Sequence, residues 1–215
     1  MAKQAYVYSG TDWVPLASEV TNLSSYYTSA QVDIITAPTG LKLLVPTSVA
    51  VGSGTGTASA SGTVTFTGAS SVSLNGVFTS TYDSYRVVFT SIVGSANTQV
   101  RLRFRKTATD NTSSVYYSGA GTMTWTGLLT AGTSAAAATS SSIFTIGTTF
   151  NTASLDITQP LVRPQVTGLA MAAGPEDRGS FFSAFINASD TFDGFTFFPA
   201  SGTITGSLSV YGYTK

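Results

Sequence analysis

Ser70–Lys106 reads SSVSLNGVFTSTYDSYRVVFTSIVGSANTQVRLRFRK, and the pattern within it decides the fold class. Tyr85–Phe89 (YRVVF) is built from aromatic and β-branched residues, which fit a pleated, half-buried surface. Gly94-Ser95-Ala96-Asn97 breaks that run with turn residues. Beyond it, Val100, Leu102 and Phe104 alternate with Arg101, Arg103 and Arg105. Successive strand side chains point to opposite faces, so one face is apolar and the other carries three guanidiniums. The two runs are expected to form an antiparallel hairpin with one face on a core and one in water. Upstream, Val72–Phe78 sets apolar residues on either side of Asn75-Gly76, a second hairpin signal.

Outward toward the C-terminus the same kind of material continues. Val115-Tyr116-Tyr117 and Met123-Thr124-Trp125 bracket a glycine-containing turn. Further strands are expected at Ile143–Ile146, Ala153–Ile157, Val166–Met171, Phe181–Ile186, Gly194–Phe198 and Ile204–Tyr213. Leu128–Ser142 reads as a surface loop of Ala, Ser and Thr, and Gly174–Gly179 as a polar turn. Short strands at regular spacing with almost no helical periodicity predict an all-β, antiparallel β-sandwich of jelly-roll-like arrangement.

Toward the N-terminus, Leu41–Val51 is an apolar strand candidate interrupted by Pro46. Gly52–Gly62 (GSGTGTASASG) is an interdomain linker or a hairpin loop; the matching alternation of Thr47–Val51 and Thr63–Thr67 favours the loop. Its glycine spacing lacks the Lys-Ser/Thr that a phosphate loop requires. Tyr6–Tyr8 and Trp13–Leu16 flank a small hairpin turn, and Pro15 places the second strand at an edge or ends it. Leu23, Tyr26 or Tyr27, Ala30 and Ile34 recur at helical spacing, with Asn22 or Ser24 as cap and Pro38 and Gly40 as stops. Residues 1–46 are thus expected to be an adaptor, a small hairpin plus a short helical or extended segment. Residues 47–215 are expected to be the sandwich.

Composition narrows the function classes. Only 9% of residues are charged, against about 25% in ordinary globular domains, so Ser and Thr hydroxyls must coat the wet faces. Ten basic and ten acidic residues cancel, which argues against nucleic acid as a partner. No run approaches a membrane span, and none resembles a signal peptide, so assembly in a host cytoplasm and exit by lysis are expected. With no cysteine and no histidine, thiol nucleophiles, Ser-His-Asp triads and Cys/His zinc sites are ruled out, and no cofactor is expected.

The candidate binding residues are few. Arg101, Arg103 and Arg105, with Lys106, form the one basic cluster; guanidinium forks suit acidic glycans or phosphates, while a solvated strand face paired with carboxylates is the plainer reading. Tyr116, Tyr117 and Trp125 lie near loops and suit either sugar stacking or core packing. Asp190/Asp193 and Glu176/Asp177 are paired carboxylates in turn-like sequence, where Asp usually closes turns. Asp190 and Asp193 alone supply too few ligands for calcium, so no metal is expected.

Three stretches carry a family resemblance. MAKQAYVYSGTDWVPLAS (1–18) resembles the opening of many tailed-phage fibre and minor tail proteins. SSVSLNGVFTSTYDSYRVVF (70–89) resembles the start of a β-sandwich domain common in phage minor tail proteins. FDGFTFFPASGTITGSLSVYGYTK (192–215) resembles the end of that domain. The resemblance implies a homotrimeric virion protein that binds or decorates rather than catalyses. It would attach to other virion proteins through residues 1–46 and contact a host-surface glycan with its sandwich. Capsid decoration, or a head fibre, is the alternative placement.

Overall fold

The structure is a computed structural model that describes residues 6–8, 10–11, 13–15, 40–124, 129–172 and 178–214. The chain divides into two compact units, Met1–Thr39 and Gly40–Lys215. In the first, β1 (Tyr6–Tyr8) pairs antiparallel with β2 (Trp13–Pro15), with Tyr6 opposite Pro15 and Tyr8 opposite Trp13. The strand ends at Pro15, which lacks the N–H to extend a ladder. The helical spacing from Leu23 to Ile34 lies outside the described residues.

The second unit contains β3 (Leu41–Leu44), β4 (Ser48–Val51), β5 (Thr55–Ala58), β6 (Val64–Ala69), β7 (Val72–Asn75), β8 (Ser84–Gly94) and β9 (Thr98–Lys106). These are followed by β10 (Thr109–Asp110), β11 (Tyr116–Thr124), β12 (Leu129–Ala138), β13 (Ser141–Ile146) and β14 (Asn151–Thr158). The series closes with β15 (Gln165–Ala172), β16 (Arg178–Ile186), β17 (Gly194–Pro199) and β18 (Ile204–Tyr213). All are antiparallel, and they form two packed sheets. The frame pairs first strand with last: β6 with β18, β7 with β17, β8 with β14, and β9 with β13. Successive pairs fall in opposite sheets, β6-β18-β8-β14 in the larger and β7-β17-β9-β13 in the smaller. A long hairpin of strand pairs rolled up in this way is a jelly roll, as expected. Beyond β14 the larger sheet continues through β15, β16, β11 and β12.

The core lies between the inner faces. Phe197 on β17 is fully buried, its ring centroid 5.0 Å from Phe89 of β8 and 5.3 Å from Phe66 of β6, both edge-on. Val100, Leu102 and Phe104 are also fully buried, so the alternation in β9 identifies its inner face.

Five local expectations need correction. First, β8 and β9 do not pair, because they lie in different sheets. The backbone of the intervening turn bonds elsewhere, Gly94 N to Gly147 O at 3.0 Å and Ser95 N to Thr203 O at 2.9 Å. Alternation reports which side of a strand is buried and is silent about its neighbour. Second, Asn75-Gly76 is a turn, with Gly76 at φ +65°, but no hairpin follows. The buried Phe78 instead donates its N–H to Asp193 O. Third, Gly52–Gly62 is neither a linker nor one long loop. It contains β5, which pairs with β6, while β4 crosses to β7 of the other sheet. Fourth, Leu129–Ala138 is the edge strand β12 rather than a loop, paired with β11 through two register shifts. Fifth, β11 runs straight through Gly119 and Gly121 with no turn. A Cβ on Gly121 would lie 2.3 Å from the Phe181 ring, so glycine here admits an aromatic laid across the strand.

The sandwich begins earlier than Thr47. Leu41–Leu44 pairs with the second half of β18, and Gly40 N donates to Thr214 Oγ1 at 2.7 Å. A fragment starting at Gly40 is therefore expected to melt cooperatively about 5 °C above one starting at Thr47, which loses the β3 ladder and the half-buried Leu44. Differential scanning calorimetry of the two fragments measures the difference, and equal melting temperatures would show that β3 adds nothing.

Candidate functional site

The outer face of the larger sheet, over β11, β16 and β15, carries exposed large side chains, Phe181 and Phe185 among them. Strand register places Tyr117 opposite Phe185 and Phe185 opposite Gln165. The next row outward-facing along the strands is Gly119, Ser183 and Thr167, and the row after it is Gly121, Phe181 and Leu169. The first row is tall and aromatic, whereas the second is small and polar. A groove of about 550 Å³ results, lined by Tyr117, Gly119, Arg163, Thr167, Ser183 and Phe185 among others. Nothing lies within 4 Å of where a Cβ on Gly119 would stand, so this glycine leaves the floor open.

The tall wall is a stack. Tyr117 and Phe185 lie 4.8 Å apart between ring centroids and 5° from parallel. β11 and β15 flank β16, so Phe185 has Tyr117 on one side and, on the other, Arg163 from the turn entering β15. The Arg163 Cζ is 5.6 Å from the Phe185 ring centroid, within cation–π range. Its Nε donates to Ile186 O at 3.3 Å and its Nη2 to Asn187 Oδ1 at 2.9 Å, which fixes the fork. Beyond Thr167 the neighbouring strand presents Asp156, which receives Arg86 Nε at 2.9 Å, Arg86 Nη2 at 2.7 Å and the Tyr213 hydroxyl at 2.9 Å.

The Arg86 hydrogen bonds hold the Asp156 carboxyl below its ordinary 3.8, against the upward effect of burial. A depressed carboxyl contributes stability above its unfolded value and loses it as pH falls through the folded one. Both side chains are more than a third or about a third exposed, so the pair contributes about 0.5–1 kcal/mol. Asp156→Asn is expected to cost that much at neutral pH, with the gap to wild type closing below about pH 4 in urea titrations. A gap that widens in acid would contradict the assignment.

No protein-family model, curated protein or solved structure matches the chain.

The sequence candidates divide sharply. Tyr117 joins the stack. Tyr116 does not: it is fully buried, and burial pushes its hydroxyl up to about 12. That hydroxyl accepts Phe104 N–H at 3.0 Å and donates to Asn111 O at 2.9 Å. Phe104 lies on β9 between the stretches paired to β13 and to β10, so the phenol closes a gap in the ladder. Trp125, Glu176 and Asp177 lie outside the described residues.

The arginine row belongs to the opposite sheet and is mostly committed there. Arg105 is buried and donates to Asn75 Oδ1 at 3.0 Å, Ser73 Oγ at 2.8 Å and Thr196 Oγ1 at 2.7 Å, as well as to Asp110 and the Ala108 carbonyl. Arg103 donates Nε to Thr139 O at 3.0 Å and lies 4.7 Å over the Phe198 ring. Arg101 is half-buried, with no carboxylate partner among the described residues.

Asp190 and Asp193 hold the tight β9–β10 turn. Thr107 and Ala108 stand at φ 50° and 61°, a left-handed pair that non-glycine residues adopt only when held. Asp193 Oδ2 accepts Thr107 N–H at 2.9 Å, and Asp190 Oδ1 accepts Lys106 Nζ at 2.5 Å. Among the described residues, no group of three or more His, Cys, Asp or Glu could hold a metal ion.

Sequence reading missed Phe185, Arg163 and Gly119. Phe181–Ile186 was legible as a strand, but it carries large apolar residues on both faces, so its phase could not be chosen. Arg163 sits in a turn with no periodic signal at all.

Proposed function

We propose that this chain is a non-enzymatic bacteriophage virion protein of tail-fibre or minor tail type, whose sandwich contacts a host-surface glycan through the groove over β11, β15 and β16. The observation that carries the glycan reading is the Tyr117–Phe185 stack standing beside an open polar floor. Sugars present C–H-rich faces and hydroxyl edges together, and an aromatic wall beside Ser183 and Thr167 answers both. The virion placement rests on the resemblance of residues 1–18, 70–89 and 192–215. The non-enzymatic reading is supported by the lack of Cys and His in the sequence and by the turn-holding role of Asp190 and Asp193.

The same sheet face continues into an apolar end, where Met123, Leu169, Met171 and Phe181 are each about half exposed. A contiguous apolar patch on an open sheet favours protein contact, and self-association as a homotrimer fits it. Light scattering at micromolar concentration should give about three protomer masses, and a clean monomer would overturn the trimer. Attachment to other virion proteins is assigned to residues 1–39, the part of the expected adaptor that lies outside the sandwich. Mass spectrometry of purified particles, normalised to the major capsid protein, separates the two placements. A copy number scaling with the capsid lattice would favour capsid decoration over the tail.

The glycan reading is tested on an array of microbial oligosaccharides. Gly119→Leu fills the groove floor without deleting any side chain, and it is expected to abolish binding seen with the wild type. Wild-type binding nowhere on the array, or binding unchanged by Gly119→Leu, contradicts the reading.

A further inference from the structure

Resting on that glycan reading, we infer that the groove selects anionic saccharides, with Arg163 as the residue that reads the carboxylate. Among the described residues lining the groove, Arg163 is the one charged side chain and none is a carboxylate. The nearest acid on the adjoining strand, Asp156, is already neutralised by both donors of the Arg86 fork. The local balance over Arg86, Asp156 and Arg163 is thus one net positive charge. With only 9% of the chain's residues charged, few other side chains are available to offset that excess.

The orientation of Arg163 is fixed before any ligand arrives. Nε and Nη2 are held by the Ile186 carbonyl and the Asn187 amide oxygen, and the plane is steadied over Phe185. Nη1 has no hydrogen-bond partner among the described residues. Two neutral acceptors satisfy part of the fork without cancelling its charge, unlike the carboxylates that hold Arg86 and Arg105. A planar fork fixed in this way presents paired N–H groups in the geometry a carboxylate accepts. Arg163 sits beside Phe185 at one end of the stack. A sugar lying along the ring edges with its hydroxyls over Ser183 and Thr167 would bring an acidic substituent to that end.

The test uses uronic-acid oligosaccharides, each paired with its carboxyl-reduced form, titrated into the full chain by isothermal calorimetry. The wild type is expected to bind the acidic member about tenfold more tightly than its reduced partner. Arg163→Gln is expected to lose that preference while still binding the reduced form, and Arg163→Lys to retain part of it. Equal wild-type affinity for both forms would overturn the charge selection and leave the glycan site standing. A preference surviving Arg163→Gln would overturn the assignment to Arg163. Binding of neither form would also overturn the anionic selection, and together with no binding anywhere on the array it would overturn the glycan reading itself.

Discussion

Replacing Phe197 by alanine is expected to lower the unfolding free energy by about 3–5 kcal/mol. Phe197 is on the inner face of β17, between β7 and β9 in the smaller sheet, and its contacts reach into the larger sheet at Phe66 and Phe89. Three rings converge there from three strands, so removing one leaves a cavity whose walls belong to both sheets and cannot close by shifting either alone. The neighbouring Phe198 points outward beneath Arg103, and Phe198→Ala should cost under about 1 kcal/mol. Urea unfolding followed by circular dichroism measures both. Equal costs would mean that the inner and outer faces of β17 have been assigned wrongly.

The second large effect belongs to the buried cation. Asp110→Ala is expected to cost about 2–4 kcal/mol, because Arg105, with its side chain 10% exposed, would lose the one carboxylate that pairs with it among the described residues. Ser73, Asn75 and Thr196 would still accept its hydrogen bonds but supply no opposite charge. Arg105→Met combined with Asp110→Ala should recover a large part of that loss, since the pair then disappears together. A double-mutant cycle reads the coupling directly. Costs that simply add would show that the two groups act independently.

These two residues also show how far the sequence could be read. The alternation through Val100, Leu102 and Phe104 identified the inner face of β9, because period-two side-chain direction is a local property of the backbone. It could not reveal that the three arginines on the outer face have different fates. Those fates depend on Asp110, reached through a tight turn, and on Thr196 and Phe198, which lie on β17 about ninety residues later in sequence. The same limit applied to pairing. In a jelly roll the first strand pairs with the last, so β6 meets β18 across most of the domain, and neighbouring strands such as β8 and β9 separate into different sheets. Adjacent runs with a good turn signal look like hairpins whichever way the roll closes.

The groove illustrates the point most fully. Tyr117 was legible as an aromatic near a loop, but its stacking partner lies in β16 and its arginine in the turn before β15. Gly119 and Gly121 looked like a turn. In the folded sheet one of them instead receives the Phe181 ring and the other leaves the groove floor empty. Only the register of three strands brings these residues into rows.

Amide chemical-shift mapping of the full chain, with the oligosaccharide that binds most tightly, locates the binding face directly. Perturbations are expected to concentrate at Tyr117–Gly119, Arg163–Thr167 and Ser183–Phe185, and to be lost in Gly119→Leu. Perturbations clustering instead around Arg101, Arg103 and Phe198 on the opposite sheet would contradict this placement and move the binding face to the other side of the sandwich.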